Sequence, residues 1–318
     1  MRLAASPSRA EPSAAGLARV EPQLRELMSL AAAATALPPW ARSLRSRQHG
    51  QYMSRVRGRG MEYDESRPYQ PGDDIRHLDW RVTARTGKAH TKLFREERER
   101  PIFVALDYSR SMFFATQGVF KAVQAARLAS LLAWRAQQNG DRIGGLMFSG
   151  QEHHELPPRR GKAAVMRLLK HMADDAVRCR QAPITHNTEQ VLTETAIRLR
   201  RLAKPGSLIF IVSDFQTYDA AAASEIARLA THTDVALLAV YDAFEANFPE
   251  ITESAALRDS RSLLRLSSVS AQQRQRYAQQ FDERHEELRQ LCREQRMLFA
   301  AVDNTSDPLA ALIRLFSR

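Results

Sequence analysis

Five short, nearly uninterrupted apolar runs in the C-terminal two thirds of the chain constrain its fold most. They are IFVAL (102–106), RIGGLMF (142–148), SLIFIVS (207–213), VALLAVY (235–241) and MLFAAV (297–302). A strand with polar residues on one face would alternate, so these runs predict strands buried on both faces, as in a sheet covered by helices on either side. Helical segments lie between them. From 119 to 139, Phe120, Val123, Leu128, Leu131 and Trp134 share one helical face, interrupted by Gln124 and Arg127, and Gly140 supplies the stop. Helices are also expected over 162–174, 188–203, 219–231, 271–296 and 307–316. After the second run, SGQEHHEL predicts a turn into an antiparallel edge strand, giving six strands. His153 and His154 alternate on it, point to opposite faces and make a poor ligand pair. The expected architecture is α/β, a doubly wound, mostly parallel six-stranded sheet.

The remaining third reads differently. Residues 1–49 are expected to be a flexible and helical arm, with a helix over 22–36. Residues 50–100 are dense in charges, glycines and aromatics, and predict short strands and loops packed on the core that 101–318 form. Residues 1–100 hold 19 Lys or Arg against 12 Asp or Glu, so seven of the net +11 charges are here. Residues 41–60 carry six arginines and no acid, a stretch suited to phosphates, an anionic surface or an acidic partner. Tyr52 is its one aromatic, which disfavours a base-stacking platform. The longest apolar stretch ends at Pro38 and Pro39, short of the roughly 20 residues of a membrane span. Charges and prolines near the start argue against a signal peptide. Cys179 and Cys292 are too few for a disulfide framework, which fits a cytoplasmic protein.

The chemistry concentrates where the first run ends. Asp107, Ser109 and Ser111 offer one carboxylate and two hydroxyls from a single loop, at the carboxyl end of a strand, where open α/β sheets bind ligands. Such oxygens suit a hard divalent cation, magnesium first, with manganese or calcium as substitutes. The competing reading is that Asp107 or Ser109 only closes a turn or caps a helix. The third run also ends on an aspartate, Asp214. In the strand order 3-2-1-4-5-6 the first and fourth strands are neighbours, so Asp107 and Asp214 face one another. Thr188, just before an expected helix, is either an N-cap or a further oxygen ligand.

In order and approximate spacing, Asp107, Ser109, Ser111, Thr188 and Asp214 resemble the metal-ion-dependent adhesion site of von Willebrand factor type A domains. The block before them resembles the domain of unknown function 58 family, through Gly58, Gly60, Glu62, Tyr63, Arg67, Tyr69, Gly72, Asp73, Asp74, Arg76, Asp79, Trp80, Ala84, Arg85, Glu96 and Glu97. The resemblance implies a Rossmann-like, von Willebrand factor type A-like domain with direct metal contacts from the serines and threonine, while the aspartates act largely through water. It also implies association with a MoxR-type AAA+ ATPase. Physically, the charged block could form carboxylate–guanidinium pairs with Tyr63, Tyr69 and Trp80 packed beneath them.

Three functions compete. The first is a noncatalytic, magnesium-dependent protein-interaction module that offers an open metal position to a partner's Asp or Glu, and works with the ATPase to assemble or activate another protein complex. The second is a metal-dependent hydrolase with Asp107 as phosphoryl acceptor, although Ser109 stands where such enzymes carry a second aspartate. The third is nucleic-acid binding through residues 41–60. The oxygen-rich site favours the first.

Overall fold

The computed structural model describes residues 14–38, 40, 61–70, 73–96, 100–150, 152–182, 190–248, 256–258, 263–265 and 269–317. The chain divides into two compact units, Met1–Arg45 with Arg100–Arg318, and Ser46–Glu99.

The larger unit begins with helices α1 (Ala14–Val20) and α2 (Leu24–Ser29). An arm was expected here, yet Leu27, Ala34, Leu37 and Trp40 are buried in the main core. Their backbone is bonded to it as well, since Ser130 Oγ and Trp134 Nε1 both donate to the Leu27 carbonyl, at 2.7 and 3.1 Å.

In the smaller unit, β1 (Met61–Pro68) pairs antiparallel with β2 (His90–Glu96), and α3 (Trp80–Thr86) lies between them in sequence. Asp79 is buried and caps α3 by accepting from the Arg81 and Val82 amides, while Ser66 Oγ donates to its second oxygen at 2.7 Å. Gly87 ends the helix at φ 67°, a left-handed conformation that costs glycine little. Of the expected charge network, Arg67 pairs with Asp73 at 2.7 Å, while Arg76, Arg81 and Arg85 are exposed. The expected burial of Trp80 is not found: its residue is 68% exposed. The carboxylate one residue earlier turns inward to cap, and the indole at the first helical position faces out. The side chains of Glu62, Tyr63 and Asp64, and the basic stretch 41–60, lie outside the described residues.

The main sheet takes the strands in the order β10-β7-β6-β3-β4-β5. These are β3 (Pro101–Asp107), β4 (Arg142–Phe148), β5 (His153–Arg159), β6 (Leu208–Ser213), β7 (Asp234–Tyr241) and β10 (Leu298–Asp303). All neighbours are parallel except the edge strand β5, which runs antiparallel to β4. This is the doubly wound order expected from the sequence, with β3 beside β6. Two further short strands, β8 (Ala256–Arg258) and β9 (Leu263–Arg265), pair with each other.

Alternate residues of β3 serve two cores. Ile102, Val104 and Leu106 pack with α4 (Lys121–Gln138), α5 (Lys162–Gln181) and α10 (Pro308–Phe316), whereas Phe103 and Ala105 pack with α6 (Val191–Leu202), α7 (Ala220–Ala230) and α9 (Ala271–Glu294). Each fully buried Ile, Leu or Phe contributes about 1.5–3 kcal/mol, so this two-sided burial holds the strand ends in fixed positions. The two polar interruptions in α4 are bonded within the protein: Gln124 donates to the Ser306 carbonyl at 2.7 Å, and Arg127 pairs with Glu26.

Candidate functional site

Pairing of β3 with β6 in parallel register, Ile102 opposite Leu208 through Leu106 opposite Val212, carries Asp107 and Asp214 to the same edge of the sheet. Both are buried, 2% and 4% exposed. The Ser109 amide donates to Asp107 Oδ1 at 2.7 Å and Ser213 Oγ donates to Oδ2 at 2.5 Å. Asp107 therefore does close a turn, as the bland reading required. Ser109 does not cap, although it precedes a single 3-10 turn: its hydroxyl is buried and makes no well-formed hydrogen bond, while lying close enough to the Asp107 carboxylate to lower its pKa. Ser111, half-buried, lies close enough to the Asp214 carboxylate to lower its pKa. Thr188 lies outside the described residues.

The site also holds groups that the sequence reading missed. Lys121, at the first position of α4, is fully buried, with Nζ 2.8 Å from Asp214 Oδ2 and 2.5 Å from Glu245 Oε1. Burial alone would push its ammonium down, but the two carboxylates outweigh burial and hold its pKa above the ordinary value. Burial pushes Asp214 up, and Lys121 reverses that to leave it below the usual carboxylate range. Asp107 has no such cation, so burial, and then the charge of Asp214, push it up to about 6. Glu245 is likewise raised by burial, which Lys121 only partly offsets. Among the described residues, Asp214 and Glu245 thus share one buried ammonium, while Asp107, buried near Asp214, has no cation of its own. One signal was present in the sequence: a lysine in the first turn of a helix opposes the helix dipole and asks for a nearby anion.

The surroundings hold this cluster rigid. Phe215, buried immediately after Asp214, adopts φ 53°, a left-handed backbone unusual for a bulky residue. The Gln216 amide then donates to Asp214 Oδ1 at 3.1 Å. Asp242, at the end of β7, accepts from the Thr116 amide and hydroxyl, the Phe244 amide and Asn304 Nδ2, so its carboxylate is fully used in fixing the loop that follows Ser111. On the other side, the Tyr108 amide donates to the Phe148 carbonyl, and a recess of about 460 Å³ lined by Phe148, Ser149, Glu152, Glu194 and Arg198 opens at this edge.

The donor set tests well against a hard divalent cation. A buried hydroxyl without a well-formed hydrogen bond stands beside a carboxylate, and Asp107, Asp214 and Glu245 outnumber the single Lys121 ammonium. Those two features are unfavourable for an empty polar pocket and are relieved together by a doubly charged, oxygen-seeking ion.

The family model described as Protein of unknown function DUF58 matches residues 65–287. The chain belongs to this family. Among its relatives is Uncharacterized protein Rv1480 of Mycobacterium tuberculosis, 32% identical over 167 residues, which make up 52% of this chain and 51% of that one. Uncharacterized protein YeaD of Bacillus subtilis is 31% identical over 42% of this chain and 31% of its own length. The chain thus spans about half, or less, of the length of the curated relatives it matches. Among solved structures, it is similar to the conserved hypothetical protein BatB from Bacteroides thetaiotaomicron (TM-score 0.45, 19% identity, 69% of this chain and 97% of that one). It is also similar to a von Willebrand factor type A structure from Catenulispora acidiphila (TM-score 0.39, 13% identity, 71% and 42%).

Proposed function

We propose that this DUF58 protein is a noncatalytic, divalent-cation-dependent protein-interaction module. The observation that carries the reading is the buried Ser109 hydroxyl, which makes no well-formed hydrogen bond, beside Asp107, a buried carboxylate with no cation of its own. Asp107, Ser109, Ser111 and Asp214 would hold magnesium, or manganese or calcium in its place, with Thr188 as an expected further ligand. When bound, the ion supplies an open position for a carboxylate oxygen from a partner's Asp or Glu. The chain's own residues prepare that position. Ser213 and the Ser109 amide orient Asp107, Lys121 keeps Asp214 ionised, and Asp242 with Asn304 holds the following loop.

A noncatalytic role is favoured because the Ser213 hydroxyl, the one that bonds Asp107, also accepts from the Phe215 amide at 2.9 Å and is locked in structure. Among the described residues no helix is long and apolar enough to cross a membrane. We place the module in the cytoplasm, with a MoxR-type AAA+ ATPase as the partner its family resemblance implies and assembly or activation of another complex as the outcome.

The test is magnesium titration of the chelator-stripped protein, read by thermal unfolding. At 100 times its Kd, magnesium should stabilise the wild type by about 2.7 kcal/mol, and Ser109→Ala and Asp107→Ala should abolish the shift. Capture of the co-expressed ATPase should be lost with chelator and with Ser109→Ala. Equal magnesium shifts in wild type and both variants would remove the site. Hydrolysis of ATP or a phosphomonoester, abolished by Asp107→Asn, would turn the reading to the hydrolase.

A further inference from the structure

A second cluster lies away from the strand-end carboxylates, between the edge strand β5 and helix α5. His154 projects from β5 toward α5, where His171 and Asp175 stand one helical turn apart on one face. One ligand atom from each of the three lies within 4.8 Å of the others. His154 Nδ1 is 3.1 Å from Asp175 Oδ2, close to the roughly 3.3 Å that separates two ligand atoms on a tetrahedral zinc with bonds of about 2.0 Å. The imidazole rings of His154 and His171 meet edge to face at 4.2 Å. The alternation along β5 makes His153 and His154 a poor pair, but it sends His154 to a helix that supplies the other two ligands.

The electrostatics suit a metal. Asp175 is 2% exposed, and Arg178 binds its other oxygen, Oδ1, at 3.0 Å, which orients the carboxylate and leaves Oδ2 turned to the imidazoles. His171 is held below its ordinary pKa by burial and then by His154. Two imidazoles and a carboxylate prefer zinc over magnesium.

We propose that His154, His171 and Asp175 form a zinc site that clamps the edge strand β5 to helix α5, with the fourth coordination position left to solvent. Zinc would replace the contact between His154 Nδ1 and Asp175 Oδ2. The clamp would act next to the strand-end site, because the Tyr108 hydroxyl donates to the Met172 carbonyl, one residue beyond His171, at 2.9 Å.

The experiment uses full-length protein stripped of metal and titrated with Zn²⁺ against a chromogenic chelator near neutral pH. The wild type should take up about one equivalent and gain thermal stability. His154→Ala and His171→Ala should each weaken uptake at least about tenfold and lose the thermal gain. Asp107→Ala should bind zinc as the wild type does, which separates this site from the magnesium site. Co²⁺ should give the intense visible absorption of a tetrahedral centre in wild type and not in His171→Ala. His171 serves as the principal variant because its half-buried ring can be truncated with the fold intact, as circular dichroism would confirm. Absence of zinc uptake by the wild type at micromolar metal, or uptake by His154→Ala and His171→Ala equal to that of the wild type, would overturn the proposal.

Discussion

Lys121 is a fully buried lysine whose two anionic partners are themselves buried. Removing one member of such a group leaves charge uncompensated, which costs about 3–5 kcal/mol, far more than loss of an exposed ion pair. Lys121→Met should therefore lower the stability of the metal-free protein by that amount in chemical unfolding. The pH dependence has a definite sign. Without the ammonium, the folded-state pKa values of Asp214 and Glu245 rise above their unfolded values, so the folded state binds extra protons and the deficit shrinks as pH falls toward about 4. Magnesium should also stabilise the variant by more than it stabilises the wild type, because the carboxylate surplus has grown. A deficit under about 1 kcal/mol that does not change with pH would mean that Lys121 is not the counter-charge of the site. At this scale the sequence was legible where chemistry and position coincide: Asp107 and Asp214 each end an apolar run, and their convergence follows from strand order. Lys121 was only faintly signalled: its place in a first helical turn opposes the dipole, but a lysine there ordinarily reads as solvated and its partners lie 93 and 124 residues away.

At the scale of the elements, the strands and helices were readable because two-sided burial leaves no room for polar interruptions. The order of the six strands followed from the doubly wound pattern, and the antiparallel edge from the turn after Phe148. The close contact of β4 with β5 was not readable. A Cβ on Gly144 would sit 2.6 Å from the Leu156 carbonyl oxygen and 2.9 Å from the Pro158 nitrogen, both backbone atoms that cannot swing aside. The β4–β5 register shifts between Ile143 and Gly145, and β5 carries Pro157 and Pro158, which also blunt its outer edge against pairing with another chain. Gly144→Ala should thus cost about 1–3 kcal/mol, the typical penalty of overpacking, although alanine is otherwise the milder residue in a strand. Unfolding midpoints measure this directly; a neutral or stabilised variant would show that the edge strand yields. If zinc clamps β5 to α5, the same substitution should also weaken zinc uptake, since it pushes His154 away from the helix.

At the scale of the molecule, the segment before residue 41 is part of the larger unit rather than an appendage, and it precedes the 65–287 span that matches the family. It covers the outer face of α4, the helix that Lys121 opens. Its sequence concealed this, because about half of its apolar residues are alanines and Arg127, which pairs with Glu26 of the segment, reads only as an interruption of the apolar stripe of α4. Two kinds of contact hold it. Leu27 is wholly buried in the core cluster, while Trp40 packs against Phe210 and Phe316 and donates to Asp141 Oδ2 at 2.8 Å. The Arg127–Glu26 pair, by contrast, is about a quarter exposed at each partner (24% and 30%). Magnitudes decide between them: a buried leucine truncated to alanine costs about 2–5 kcal/mol, and a partly exposed ion pair is worth about 0–1 kcal/mol. Leu27→Ala should therefore destabilise the protein strongly and Arg127→Ala barely, in parallel urea unfolding curves read by far-ultraviolet circular dichroism. Because α4 carries Lys121 into the carboxylate cluster, Leu27→Ala should lower the unfolding midpoint with and without magnesium and leave the magnesium-induced shift in place. Comparable small losses in both variants would return the segment to the role of a loosely attached arm.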